Sequence, residues 1–199
     1  VLEAIIGLED GVLDTNLNGT KYAIDATSGS GVYATTYAQI GDVVSFDYSF
    51  DTNDYSPYKD FSWFSVNDTV EKIVARGEDV ENFGKAKGTI TYMLEAEDFD
   101  DYREPFTDEN GSNAGGGKLT LAFGVMDALD TCVDSYLNIS NVSIYDPENA
   151  DEIPDDKKEA TADEIINDFD QFETEVFGNA SLTFAGEEIS QIILSTEYI

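Results

Sequence analysis

The amino-acid sequence predicts a mostly β fold, an antiparallel β-sandwich of jelly-roll type with one amphipathic helix near the C-terminus. Short runs of alternating apolar and polar residues fill the stretch 29–146, and clusters of Asn, Asp and Gly separate these runs. Beyond residue 160, apolar residues recur at helical spacing instead. A length of 199 residues suits one domain, so we predict a single ligand-binding domain over residues 1–199.

The run 42–50 carries the clearest strand pattern. Val44, Phe46, Tyr48 and Phe50 fall on one face of an extended chain, as a strand with one dry side requires. Similar patterns predict further strands at 32–39, 60–66, 69–75, 87–94, 118–126 and 133–145. Near the C-terminus, 181–184 and 189–197 also have strand-like composition, and we expect them to complete the same domain.

The predicted strand 60–66 is apolar on both faces. Phe64 and Val66 share one side, whereas Phe61 and Trp63 occupy the other, so each face needs cover. We expect the C-terminal helix to cover the second face, with a bound ligand as the alternative. In the predicted strand 118–126, one face consists mainly of small side chains and could line the bottom of a groove. Its residues are Thr120, Ala122, Gly124 and Met126.

The chain changes character after residue 146. Residues 146–160 contain two prolines and dense charge, which predicts a surface linker. Thr161 and Glu164 then form a capping box at the start of a predicted helix over 161–177, and Gly178 supplies its stop. The apolar positions at helical spacing are Ile165, Phe169, Phe172 and Val176.

Composition excludes several function classes. The 42 acidic residues against 10 basic residues give a formal charge of -32, which repels nucleic-acid phosphates and anionic membranes. The absence of His and the single Cys exclude histidine-ligated metals, Ser-His or Cys-His nucleophiles and an internal disulfide. No nucleophile elbow, P-loop or dinucleotide fingerprint is present, so we predict a protein that is not an enzyme.

The chain contains no apolar run near the roughly eighteen residues that a membrane span needs. It begins at Val1 without a signal-peptide pattern, and we expect it to be a monomeric module of a longer protein.

The acidic surplus points to calcium. So large a charge destabilises a compact fold unless the carboxylates are spread out, screened by salt or neutralised by cations. Calcium takes roughly six to eight oxygen ligands, and extracellular modules bind it at ~0.1–1 mM. A solvated surface that binds no specific ion is the alternative, and composition alone does not separate the two.

One candidate site follows the predicted strand 42–50. Alternating oxygen side chains in a turn converge on one point, which favours a calcium site, although a turn that satisfies its own backbone has the same composition. The candidate ligands are Asp51, Asn53, Asp54 and Asp60, with Tyr55 and Tyr58 between them.

A second candidate site lies between the predicted strands 118–126 and 133–145. Asp127, Asp130 and Asp134 would crowd the connection between these strands with no basic residue near in sequence, so we predict a divalent ion there. Cys132 is interpreted as a small apolar filler. A third oxygen-rich loop carries Asp98, Asp100 and Asp101 without EF-hand spacing; we expect a solvated loop and keep these three as weaker candidate ligands.

Three strings carry a resemblance to a known family: GDVVSFDYSFDTNDY at 41–55, GVMDALDTCVDS at 124–135 and NISNV at 138–142. Over 29–146 they resemble the ligand-binding β-sandwich modules of secreted bacterial surface proteins, and most closely the peptide-binding domain of calcium-dependent RTX adhesins. The resemblance implies an extracellular module on the bacterial surface, in which calcium helps to hold the free C-terminal carboxylate of a partner protein and so attaches the bacterium to cells.

These interpretations combine into one hypothesis with two alternatives. Asp127 and Asp130 contact the ligand, and Tyr55 and Tyr58 border the binding groove. The ions are held by Asp127, Asp130 and Asp134, together with Asp51, Asn53, Asp54 and Asp60. In the first alternative the module binds carbohydrate through calcium, and an exposed aromatic residue, Trp63 or one of the two tyrosines, stacks on the sugar ring. The second alternative is a structural domain that calcium stiffens and that binds no ligand.

Overall fold

Alternation of apolar and polar residues is realised as extended strands. The computed structural model describes residues 3, 8, 11–13, 26–55, 58–75, 80, 84–99, 115–129, 132–147, 175–177, 179–185 and 188–196. The described residues form ten strands: β1 (Ala26–Gln39), β2 (Val43–Thr52), β3 (Phe61–Val66), β4 (Thr69–Ala75), β5 (Lys85–Met93), β6 (Gly116–Ala128), β7 (Ser135–Tyr145), β8 (Glu175–Phe177), β9 (Asn179–Ala185) and β10 (Glu188–Ser195). A short 3₁₀ helix (Ala96–Phe99) follows β5.

The ten strands form two antiparallel sheets of five strands each. Sheet A has the order β4-β3-β6-β1-β8, and sheet B has the order β5-β2-β7-β10-β9. The predicted mostly β, antiparallel architecture is therefore confirmed. Each strand predicted between residues 32 and 145 is present, and β4 has the predicted bounds.

An apolar core joins the two sheets. Val44, Phe46 and Phe50 of β2 are fully buried, as the alternation predicts. The Phe46 ring lies edge-on to Phe64 of β3 at 5.2 Å between centroids and to Phe123 of β6 at 4.9 Å. Since Phe46 belongs to sheet B and its two partners to sheet A, the sheets pack face to face.

The opposite face of sheet A is covered from the N-terminal side of the chain. Phe61 and Trp63 share a buried apolar cluster with Leu8 and Leu13. The Glu3 carboxylate holds this cover in shape, because Oε2 accepts a hydrogen bond from the Gly11 amide at 3.0 Å and Oε1 accepts one from the Leu13 amide at 2.7 Å. The cover expected from the predicted helix falls on residues outside the described part of the chain.

The predicted helix 161–177 is not shown. Residues 161–174 lie outside the described residues, and its last three positions form β8, which pairs with Gly31–Tyr33 of β1. Pairing with an available strand edge overrides the helical spacing at Val176, since short segments follow tertiary context more than local pattern. Of the predicted linker 146–160, only residues 146 and 147 are described.

No helix within the described ranges is long and apolar enough to cross a membrane.

Candidate functional site

Polar residues from four strand ends meet at one end of the two sheets. The register of β2 with β7 places Thr52 beside Ser135. The register of β3 with β6 pairs Phe61 with Met126, which brings Asp60, just before β3, close to Asp127. We call Asp54, Asp60 and Asp127 the acidic cluster; each of these side chains is at most 2% exposed.

Hydrogen bonds fix Asp60 at the centre of this end. Its Oδ1 accepts from the Ala128 amide at 3.1 Å, and its Oδ2 lies 2.7 Å from the Ser135 hydroxyl. The Ser135 hydroxyl also hydrogen-bonds the Thr52 hydroxyl at 2.9 Å. Thr52 in turn accepts a hydrogen bond from the Asp54 amide at 3.1 Å. A continuous chain of hydrogen bonds therefore links the ends of β2, β6 and β7.

The other two carboxylates of the cluster are held by local donors. Asp54 Oδ1 accepts a hydrogen bond from the Tyr55 amide at 2.6 Å. Asp127 Oδ2 accepts one from the Ser28 hydroxyl of β1 at 2.8 Å. Each member of the acidic cluster is thus oriented by its own donor. Asp54 and Asp60 come from the connection between β2 and β3, and Asp127 comes from the end of β6.

Burial and charge act together on Asp60. Burial raises the pKa of its carboxyl group to about 8, the hydrogen bonds from Ser135 and Ala128 oppose this rise, and the nearby charges of Asp127 and Asp54 add to it. Three carboxylates within electrostatic reach repel one another when ionised. The cluster is therefore relieved either by a proton on Asp60 or by a cation.

Among the described residues, the side-chain atoms of the cluster and of its partners Ser28, Thr52 and Ser135 that could ligate a metal are all oxygen. Carboxylate and hydroxyl oxygens suit a hard cation such as calcium, and no soft or nitrogen ligand lies among them. In the described part of the chain, no three Asp, Glu, His or Cys side chains are arranged to hold a metal ion as they stand. The chemistry of the donors fits calcium, and binding would require these carboxylates to draw closer together.

The structure brings together only part of the predicted ligand set. Asp51 lies on the outer face of sheet B and forms an ion pair with Lys85. Asn53 is exposed, and Asp134 is half-buried just before β7. The predicted ligands Asp100, Asp101 and Asp130 lie outside the described residues.

Asp98 has a separate role in the 3₁₀ helix. Its Oδ2 accepts a hydrogen bond from the Glu95 amide at 2.7 Å and its Oδ1 accepts one from the Tyr92 hydroxyl at 2.9 Å. Burial, together with this hydrogen bond and the Asp98 charge, raises the pKa of the Tyr92 phenol. These bonds engage both oxygens of Asp98 in local structure.

Exposed apolar side chains lie next in sequence to the residues of this end. Tyr55 follows Asp54 and is 47% exposed, and its ring lies edge-on to Tyr58 at 5.3 Å. Leu129 follows Ala128 and is also 47% exposed, whereas Tyr136, which follows Ser135, is 36% exposed. We call Tyr55, Leu129 and Tyr136 the apolar rim.

Thr52, Ser135 and two rim residues were missed by sequence reasoning. For the hydroxyl side chains of Thr52 and Ser135, one signal in the sequence was available. Thr52 continues the inward alternation of Phe46 and Phe50, and Ser135 occupies an inward position two residues before Leu137. A polar residue at the buried position of a strand end marks a polar site inside the fold. Nothing in the local pattern marked Leu129 or Tyr136.

No known protein family, curated protein or solved structure matches the chain. Its function is inferred from the chemistry of the acidic cluster.

Proposed function

We propose that the chain is a calcium-dependent ligand-binding module of a large secreted bacterial adhesin, acting at the cell surface without enzymatic activity. In this proposal the two facing sheets are a sandwich of jelly-roll type. The observation that supports it is the burial of Asp54, Asp60 and Asp127 together at one end, each at most 2% exposed.

In this proposal, a bound calcium ion offsets the repulsion between the carboxylates of the acidic cluster. Ionised carboxylates buried side by side are unfavourable, and a divalent cation replaces their repulsion by attraction. Asp54, Asp60 and Asp127 are the proposed ligands. Asp130 and Asp134, which lie in the β6–β7 connection in sequence, are the further ligands that we propose.

The ligand in this proposal is the free C-terminal end of a partner protein. A calcium ion with an open coordination position presents local positive charge in a chain whose net charge is -32, and a terminal carboxylate supplies the missing oxygen ligands. The apolar rim offers contact area for the last side chains of such a peptide.

An array of peptides and glycans tests this function. Peptides with free and amidated C-termini are presented beside a glycan panel, each with calcium and with EGTA. We expect capture of free-acid peptides only, in calcium only. Asp127→Asn and Asp60→Asn should lose that capture, whereas Asp47→Asn, a substitution on the outer face of sheet B, should retain it. Equal capture in EGTA, or by amidated peptides, would contradict the proposal.

Carbohydrate binding is the second candidate, and the exposed Tyr55 ring beside Asp54 is the observation that favours it. Vicinal sugar hydroxyls can replace the peptide carboxylate on calcium while an aromatic ring stacks on the sugar. Calcium-dependent capture of a glycan, lost in Tyr55→Ala, is the result that would select this alternative over the peptide.

A further inference from the structure

The four edge strands of the two sheets differ in how well they could accept another strand. β8 has only three residues. β4 pairs with β3 through a register shift between Ser62 and Trp63, and β9 pairs with β10 through a shift between Ile189 and Gln191. β5 pairs with β2 over nine residues without a shift. Short or irregular edges resist strand addition, so β5 is the edge best suited to it within the described chain.

The backbone groups that β5 offers outward can be identified. The Thr52 amide donates to the Gly84 carbonyl at 3.0 Å, and the Leu94 amide donates to the Asp42 carbonyl at 2.8 Å. Antiparallel pairing alternates, so the even-numbered residues of β5 direct their amide and carbonyl groups toward β2. The odd-numbered residues therefore direct their amide and carbonyl groups away from the sheet. All five have exposed side chains: Lys85, Lys87, Thr89, Thr91 and Met93.

The edge carries positive charge in a strongly acidic chain. Lys85 and Lys87 stand at alternate positions on the same face of β5, which has no acidic residue of its own. Lys85 pairs with Asp51, whereas Lys87 lies opposite Ser49 and forms no ion pair with a described residue. Edge lysines often prevent pairing between copies, but copies of this chain, each with charge -32, already repel one another.

We propose that the β5 edge is a docking site for an extended segment of a partner protein that carries carboxylates at two alternate positions. The segment adds to sheet B as a further strand, and its carboxylates lie opposite Lys85 and Lys87. At physiological ionic strength, charges beyond about 8 Å are largely screened, so the side chains next to the edge decide its charge. Lys85 shares its charge with Asp51, whereas Lys87 lies opposite the uncharged Ser49, and Lys87 therefore supplies most of the attraction for a carboxylate. This inference goes beyond the proposed function because it requires neither calcium nor a free C-terminus.

A designed peptide tests the edge directly. The probe is a nine-residue peptide that is acetylated and amidated and carries Glu at two alternate positions and Thr or Val elsewhere. Its binding is measured by fluorescence anisotropy in calcium buffer. The blocked C-terminus separates this result from the proposed carboxylate site. Wild-type protein should bind this peptide and should not bind the same peptide with Lys in place of Glu.

Thr91→Pro is the decisive variant. Its amide faces away from β2, so proline removes a hydrogen bond to the added strand without removing one from the sheet. We expect at least roughly tenfold weaker binding, with circular dichroism and melting temperature close to those of the matched control Thr91→Val.

Charge reversal supplies a second test that does not touch the backbone. Lys87→Glu should weaken binding roughly tenfold, whereas Lys118→Glu, the same change on sheet A, should not. Failure of wild-type protein to bind the peptide, equal binding of the lysine peptide, or unchanged binding by folded Thr91→Pro and Lys87→Glu would overturn the proposal. So would a dimer, detected by sedimentation, that Thr91→Pro dissociates, because a second copy would then occupy the edge.

Discussion

Asp60 is the residue on which the chemistry of the acidic cluster depends. With its pKa near 8, the carboxyl group is mostly protonated at neutral pH when no cation is present. The Ser135 hydroxyl can pair with Asp60 in both protonation states. It donates a hydrogen bond to the ionised carboxylate, and it can accept one from the protonated carboxyl group while it donates to the Thr52 hydroxyl. Proton and cation are thus competing ways of satisfying the same carboxylate.

The stability of the metal-free protein should therefore fall as the pH rises. The folded pKa of Asp60 lies above the ordinary value of 3.8, so between pH 4 and 8 the folded state binds the extra proton, and stability declines by at most about 1.4 kcal/mol per pH unit. Urea unfolding in EGTA across this range measures the slope, and Asp60→Asn should flatten it.

Asp47→Asn is the control for this measurement. Hydrogen bonds from Thr89 and Asn141 lower the pKa of Asp47, so its contribution is present at neutral pH and is lost as the pH falls through its folded pKa. Replacing Asp47 should leave the decline between pH 4 and 8 in place. A wild-type protein whose stability does not change over this range would show that Asp60 is ionised there in both states.

At the scale of elements, the fluorescence of Trp63 reports on the packing of the N-terminal residues Leu8 and Leu13 against β3. Trp63 is the only tryptophan, and it is fully buried in the cluster with Leu8 and Leu13. Leu13→Ala should loosen the cover, shift the emission of Trp63 to longer wavelength and increase its quenching by acrylamide. Leu129→Ala removes a leucine of the apolar rim and should leave both readings unchanged. Identical spectra for Leu13→Ala and wild type would show that Leu13 does not shield the indole.

The contact between β6 and β3 requires a glycine at position 124. A methyl group there would overlap the indole ring of Trp63, a bulky and enclosed neighbour. Gly124→Ala should lower the free energy of unfolding by about 1–3 kcal/mol in urea titration. Gly88→Ala, whose methyl would lie 3.1 Å from the ring of half-buried Tyr48, should have a smaller effect. Equal losses in the two variants would contradict this packing.

The strands could be predicted from sequence because alternation is a local signal, and the burial of Val44 and Phe46 follows directly from it. Contacts between segments that are distant in sequence could not be predicted in this way. Asp54 and Asp60 were placed in one predicted site and Asp127 in another, and only the pairings of β2 with β7 and β3 with β6 bring them together. Leu8 and Leu13 likewise lack a periodic pattern, so nothing local marked them as the cover of Trp63.

At the scale of the whole molecule, net charge and the acidic cluster make separable contributions to stability. Any salt should raise the melting temperature of a chain with charge -32 by screening its self-repulsion. Calcium should raise it further than sodium or magnesium at equal ionic strength, because it also binds the cluster. Differential scanning calorimetry measures both effects.

Asp127→Asn should keep the general salt effect and lose the extra calcium effect. If calcium and magnesium act equally on wild-type protein, the ions act by screening alone and the cluster has no calcium site.

The pairing of β1 with β6 has a consequence for how the chain reaches this structure. Thr35 and Thr120 lie 85 residues apart in sequence, and in sheet B Asp47 and Asn141 are separated by 94. Neighbouring hairpins cannot assemble the centre of either sheet, so long loops must close first, and folding should take milliseconds to seconds rather than microseconds. Exposed strands persist during that interval, when mutual repulsion between nascent chains would keep them from aggregating.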